Sequence, residues 1–329
     1  MKVLFIGGTG NISTSCSCLA LENGVDLWLL NRGQTGVSIQ GAQQIQADIH
    51  NEAETAAALT GHEWDVVVNW IAFEPKDVER DIRLFAGKTH QYIFISSASC
   101  YQTPLKHPII RETTPLENPF WEYSRNKIAC ERLLTEAYEK QGFPATIVRP
   151  SHTYSKVIPI CIGGWTEYTT VDRIKKGLPI VVHGDGSSLW VLTHAEDFAL
   201  GFFGLLGLEA SIGEAFHITS DELLTWNQIH EQLAAALGKE ANIVHVTSDR
   251  IAKHDPEYIG SLLGDKTSSV IFDNSKIKSV VPDFQCTIPF AEGIKTTLDW
   301  FEADPARQII SDETNHFIDM LIKTELEKA

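Results

Sequence analysis

A short apolar run, residues 3–6, ends directly in Gly7-Gly8-Thr9-Gly10-Asn11-Ile12-Ser13, and a helical pattern follows to residue 23. This feature limits the fold more than any other. Strand, glycine turn and helix in that order read as the first βα unit of a dinucleotide-binding sheet. Gly7 permits the tight turn, and Gly10 lets the backbone approach a pyrophosphate. The helix then offers free N–H groups and the positive end of its dipole. Thr9, Asn11 and Ile12 complete the candidate phosphate loop. Ser13 stands where Gly or Ala is usual and is still small enough for close helix–strand packing.

The same rhythm repeats. Apolar runs at residues 27–30, 66–68, 92–95 and 146–148 alternate with helical patterns at 52–59, 76–86 and 123–140. Near-continuous apolar strands imply a parallel sheet covered on both faces, so the expected class is α/β, a Rossmann doubly wound sheet. After Pro150 the rhythm changes, and Pro, Gly and His become frequent up to Gly186. A helical pattern at 196–208 and a strand at 215–218 look like the last unit of the first domain. A helix at 226–237, a strand at 242–246 and a terminal helix over 317–328 make up much of the rest. The 329 residues suit two domains of roughly 150 residues each. The expected division is 1–155 plus about 192–222 for the dinucleotide domain. A smaller, interleaved α/β substrate domain takes about 156–191 plus 223–329.

The net charge is −16, which repels a phosphate backbone, so nucleic acid is not an expected partner. No run approaches the length of a membrane span, and Met1-Lys2-Val3 enters a strand with no leader-like segment. Six scattered cysteines read as reduced packing thiols, and no His/Cys cluster suggests a metal. The expected location is therefore the cytoplasm.

Dinucleotide sites usually read the adenosine ribose at the end of the second strand, with Asp or Glu for NAD. Here Asn31-Arg32-Gly33 stands there. Asn31 does not repel a 2′-phosphate and Arg32 can grip one, which favours NADP over NAD. Arg32 is otherwise a solvated loop residue or an adenine stacker. Asp48 is either an acceptor for the adenine amino group or a turn residue.

Tyr123-Ser124-Arg125-Asn126-Lys127 opens a helix, and its i, i+4 spacing puts Tyr123 and Lys127 on one face. A free tyrosine, with a pKa near ~10, is a poor acid or base at neutral pH, and a nearby ammonium moves it toward the working range. Ser96-Ser97-Ala98-Ser99 follows the run at 92–95, at the carboxyl end of a strand, where parallel sheets bind ligands.

In these motifs the chain resembles the extended short-chain dehydrogenase/reductase family, and within it the nucleotide-sugar epimerases and their atypical relatives. Val148-Arg149-Pro150-Ser151, Gly184-Asp185-Gly186 and His194-Ala195-Glu196-Asp197 extend the match across about the first 200 residues. The resemblance implies that Ser97 orients the substrate oxygen, Tyr123 is the acid/base and also contacts the cofactor, and Lys127 binds ribose and tunes the tyrosine. It places Pro150 beside the nicotinamide, with Asn69, Trp70 and Ile71 flanking the cofactor. It implies hydride transfer to or from a secondary alcohol or ketone, of a sugar or sugar nucleotide, with epimerisation and net reduction both open. A homodimer through the helices at 76–86 and 123–140 is also implied.

Three departures bear on the substrate. Family 4,6-dehydratases carry an Asp-Glu pair where this chain has Ala98 and Ser99, which argues against that reaction. Trp190 stands where relatives place an arginine against a diphosphate, so a nucleotide diphosphate is doubtful. His152 follows Pro150-Ser151 as a substrate contact, a proton-transfer group or a hydrogen-bonded loop residue. Ser99, His152, Trp165 and Trp190 are the candidate substrate residues, and Trp165, Tyr168 and Trp190 form either an aromatic pocket or, for at least one, core. The competing readings are a non-catalytic NAD(P)-binding sensor and an RNA-associated member of the atypical branch. Retention of Ser97, Tyr123 and Lys127 opposes the first, and the charge opposes the second.

Overall fold

Val3, Leu4, Phe5 and Ile6 are all completely buried, because their strand is covered on both faces. Val3 and Phe5 join the core on one side, while Leu4 and Ile6 join the core on the other. The computed structural model describes residues 1–34 and 36–327. Its main sheet has seven strands: β1 (Lys2–Ile6), β2 (Asp26–Asn31), β3 (Gln43–Gln46), β4 (Trp64–Asn69), β5 (Thr89–Ile95), β6 (Ala145–Pro150) and β7 (Ala215–Ile218). All pairings are parallel, in the order β7-β6-β5-β4-β1-β2-β3. The order reverses between β1 and β4, and that switch point opens a crevice at the strands' carboxyl ends.

Helices α1 (Ser13–Glu22) and Ala195–Leu205 cover one face through residues such as Cys16, Phe198 and Phe202. Helices α2 (Glu52–Ala58), α3 (Pro75–Phe85) and α4 (Glu122–Gln141) cover the other, with Leu59, Phe85, Cys130 and Leu134 in the core. Each buried side chain of this size stabilises the fold by roughly 1.5–3 kcal/mol relative to exposure.

A third core gathers Ile158, Trp190, Trp226, Phe290, Ile294 and Leu321. Around it lie Ile180–His183 paired with Ile243–Val246, and helices Trp226–Ala236, Phe290–Glu302 and Asp312–Leu326. Lys328, the expected end of the last helix, lies outside the described residues. The exchange between the halves is finer than the sequence division suggests. Tyr101 and Ile110, early in the chain, join the third core, and Ile109–Ile110 pairs with Ile271–Phe272. In return, Ile277 and Phe284 pack into the core of the first half. Among the described residues, no helix is long and apolar enough to cross a membrane.

Candidate active site

The phosphate loop takes its shape from two glycines. Gly7 and Gly8 have φ of +95° and +101°, a region that other residues rarely adopt. A Cβ on Gly8 would stand 2.7 Å from the Leu29 side chain, so Gly8 is the more constrained of the two. No side chain caps the N-terminus of α1, and its first turn holds no acidic residue. This cradle suits a pyrophosphate. The Asn11 carboxamide, however, donates to Thr153 O (2.9 Å) and accepts from Lys156 N (2.9 Å). It ties the loop to the segment after β6, so only the rest of Asn11 can serve a ligand.

A cavity of about 720 Å³ opens over the carboxyl ends of the strands. Gly7, Thr9, Gly10, Asn11 and Ile12 line one end, with Trp70, Ile71 and Pro150 beside them. Ser97, Ser99, Tyr123 and Lys127 line its middle, and His152, Trp165 and Trp190 its far end. The structure therefore gathers nearly all the expected residues around one space.

Four lie outside its lining. Asn69 is fully buried; its carboxamide donates to Asp81 and accepts from Ile71 N (2.8 Å). Tyr92 and Arg80 also donate to Asp81, so Asn69 shapes the turn that presents Trp70 and Ile71 and does not itself face the cavity. Asn31 spans Gln44 (3.0 Å) and Gly33 N (3.0 Å), a turn role. The Asp48 carboxylate accepts from His50 N (3.0 Å), the turn alternative foreseen for it. Arg32 is exposed, with no carboxylate paired to it among the described residues. Tyr168 is core: it is buried, and its hydroxyl donates to Glu302 (2.7 Å).

Lys127 is almost wholly buried, and its ammonium donates to Ala72 O and Ile95 O, both at 2.7 Å. An ammonium has three hydrogens, so one is left for a ligand in the cavity. Burial pushes Lys127 down to about 8. The expected lowering of Tyr123 by this ammonium is not what the geometry gives. The ammonium sits 5.8 Å from the phenol ring centre and is aimed at the two carbonyls. Burial instead pushes Tyr123 up to about 12, with the Ser97 hydroxyl pulling the other way. Tyr123 is thus held as a phenol, a proton donor first.

Ser97 belongs to a hydroxyl chain. Its Oγ lies 2.9 Å from Ser99 Oγ, which accepts from Ser124 Oγ at 2.7 Å. Beneath it, Ser96 donates to Glu131 (2.5 Å), which also takes the Arg149 guanidinium through Nε (3.0 Å) and Nη2 (2.6 Å). This buried pair locks the end of β5 against α4 and β6, so Ser97 and Tyr123 keep their relative positions. Trp121, Phe73, Tyr101, Phe272 and Asp265 also line the cavity and escaped the sequence reading. Tyr101 closes the motif that holds Ser97, the others sit in no recognisable pattern, and Asp265 and Phe272 reach the site only through the pairing of distant segments. Among the described residues, no three His, Cys, Asp or Glu are grouped to hold a metal.

Residues 3–218 match the NAD dependent epimerase/dehydratase family, and the chain belongs to it. It is 27% identical over 258 residues to the chloroplast stem-loop binding protein of 41 kDa b of Arabidopsis thaliana, covering 74% of this chain and 65% of that one. It is 22% identical over 295 residues to the 2'-dehydrokanamycin reductase of Streptomyces kanamyceticus, covering 87% of this chain and 80% of that one. Its fold is similar to the UDP-glucose 4-epimerase of Thermotoga maritima in complex with UDP-glucose (TM-score 0.75, 19% identity), covering 92% of this chain and 99% of that one.

Proposed function

From membership of this family we propose that the protein transfers hydride to or from a secondary alcohol or ketone of a carbohydrate, using a nicotinamide dinucleotide. One observation carries the reading: Ser97, Tyr123 and Lys127 line the same cavity as the left-handed glycine loop. The nicotinamide supplies or takes the hydride when bound. The loop backbone and the α1 N-terminus would hold the pyrophosphate. The free hydrogen of Lys127 would go to the ribose, and Trp70, Ile71 and Pro150 would flank the ring.

Ser97 donates to the substrate oxygen and fixes its position. Tyr123 gives that oxygen its proton in the reductive direction and takes it back in the oxidative one. The hydroxyls of Ser99 and Ser124 hold Ser97 in register. Dehydration at a 4,6 position lacks its acid and base at Ala98 and Ser99. The exposed Arg32, at the end of β2, supports NADP over NAD. The name of the dehydrokanamycin relative supports reduction of a ketone on a carbohydrate ring. The name of the stem-loop binding relative supports an RNA-associated reading, and the charge of −16 opposes it.

The test uses reduced cofactor deuterated at nicotinamide C4 with a panel of keto-sugars. Deuterium at the carbinol carbon of a product, lost with Tyr123→Phe, is the expected result. No transfer to any keto-sugar by a protein that binds the cofactor would contradict the proposal.

A further inference from the structure

The far end of the cavity is built of aromatic faces and very few polar groups. Trp121, Trp165, Trp190 and Phe272 line it. Among the described lining residues, the only lysine or arginine is Lys127, and no arginine is present. Lys127 is committed to the Ala72 and Ile95 carbonyls on the dinucleotide side. No lysine or arginine of the lining other than Lys127 is therefore placed to touch a diphosphate directly. The one carboxylate in the lining is Asp265, which adds no positive charge for it.

We infer that this end of the cavity takes an uncharged, hydroxyl-bearing ring without a phosphate, and that Asp265 and His152 are its polar contacts. The inference rests on the hydride-transfer reading above and narrows its substrate.

Asp265 ends a helix, Ile259–Lys266, that packs directly on the catalytic loop. The Asn118 carboxamide donates to Ser99 O (3.0 Å) and to Gly264 O (2.7 Å), tying the two together. Gly260 and Gly264 let Trp121 lie against this helix: a Cβ at Gly260 would be 2.3 Å from the indole. Asp265 is thereby presented to the space that Tyr123 also lines, and its charge is felt by the Tyr123 phenol. Lys266 Nζ lies 3.5 Å from the Asp265 carboxylate, and Lys266 itself is buried and outside the cavity lining. The pair holds no net charge. Such a wall favours a neutral hydroxyl donor over an ammonium or a phosphate.

His152 supplies the second contact. Its Nε2 is buried and has no hydrogen-bond partner. Its ring lies against Trp165, with centres 4.4 Å apart. Burial and the nearby Lys266 keep the imidazole neutral. A buried polar atom left unpaired is costly, and the residue that carries this one lines the cavity, so a small shift of the ring on binding would let a ligand complete the bond. Trp190 Nε1 is likewise buried and unpaired. An aromatic wall with a few such groups suits a ring that is apolar on its face and hydroxylated at its edge.

The test is calorimetric, on protein saturated with NADPH. Titrants are UDP-glucose and a panel of unphosphorylated rings: methyl glycosides of common hexoses, a disaccharide and a cyclitol. At least one panel member should saturate, with UDP-glucose weaker by tenfold or more. Asp265→Asn should weaken that member roughly tenfold or more, the effect of losing a hydrogen bond to a charged group. His152→Phe, which keeps the stack and removes the nitrogen, should weaken it severalfold. Unchanged NADPH affinity in both variants shows that each is folded. The inference is overturned if UDP-glucose binds more tightly than every panel member, if none of the panel saturates, or if Asp265→Asn leaves the affinity unchanged. Failure of the wild type to bind NADPH or NADH would instead strike the hydride-transfer reading, and this inference with it.

Discussion

The two ends of the cavity are made of different materials. The dinucleotide end is mostly backbone: two left-handed glycines, an uncapped helix terminus and the ends of β1, β4 and β6. The substrate end is side chain: indoles, an unpaired imidazole and one carboxylate, delivered by segments as far apart as residues 121, 152, 190 and 265. Backbone presents the same N–H groups whatever the sequence around it, so the first end suits a ligand common to many enzymes. Side chains differ at every position, so the second end is where this chain becomes particular. The hydroxyls of Ser97 and Tyr123 stand at the boundary.

Tyr123→Phe should break the molecule at that boundary. It removes only the phenolic hydrogen, so turnover should fall by roughly 10²–10⁴, the usual worth of a general acid/base. NADPH binding should hold within about twofold, since the phenol is not part of the cradle. Equal losses of turnover and cofactor affinity would show that the two ends are not separable.

Gly8→Ala attacks the backbone end alone. A residue at φ +101° with its Cβ against Leu29 should cost roughly 1–3 kcal/mol of stability. Cofactor affinity should fall with it, while Asp265→Asn leaves cofactor affinity untouched. Thermal melts and NADPH titrations of both variants measure this.

The pH dependence sharpens the comparison. Burial holds Lys127 at about 8, below the ordinary lysine range. Its ammonium is needed for the carbonyl bonds and the ribose, so kcat/KM should decline as pH rises through about 8. The sign for stability is opposite. Burying the charged form costs stability below pH 8, and that cost is relieved between pH 8 and the unfolded lysine value. A rate that falls where the melting temperature holds or rises is the expected signature; parallel falls in both would contradict the role of Lys127. The smallest effect is expected at the exposed edge. Arg32→Ala should shift the NADPH-to-NADH preference by roughly tenfold toward NADH, the loss of one charge-assisted contact. No shift would leave Arg32 as a solvated loop residue.

What could be read from the sequence follows the same division. The glycine loop and the Tyr123–Lys127 spacing are local, so their geometry is contained in a few consecutive residues. Five of the seven parallel strands, β1, β2, β4, β5 and β6, follow from apolar runs that need no knowledge of their neighbours, whereas β3, Gln43–Gln46, has a single buried apolar residue and no such run. Asn69 misled because its position at the end of β4 was legible and its partners, Asp81, Tyr92 and Arg80, were not. The Tyr123 phenol rises because burial outweighs the Ser97 hydroxyl, while two distant carbonyls hold the ammonium expected to lower it, an arrangement no spacing encodes. Asp265 sits in no pattern at all. It reaches the site because Gly260 and Gly264 admit Trp121 and Asn118 bridges to Ser99.

The central claim is that this cavity holds a nicotinamide dinucleotide against Ser97 and Tyr123. The most direct measurement is a titration of the purified protein with NADPH and NADH, following nicotinamide fluorescence, after ultraviolet absorbance has shown it free of bound nucleotide. The account predicts saturable binding, tighter for NADPH, and weakened by Gly8→Ala. Absence of saturable binding for both cofactors would contradict it.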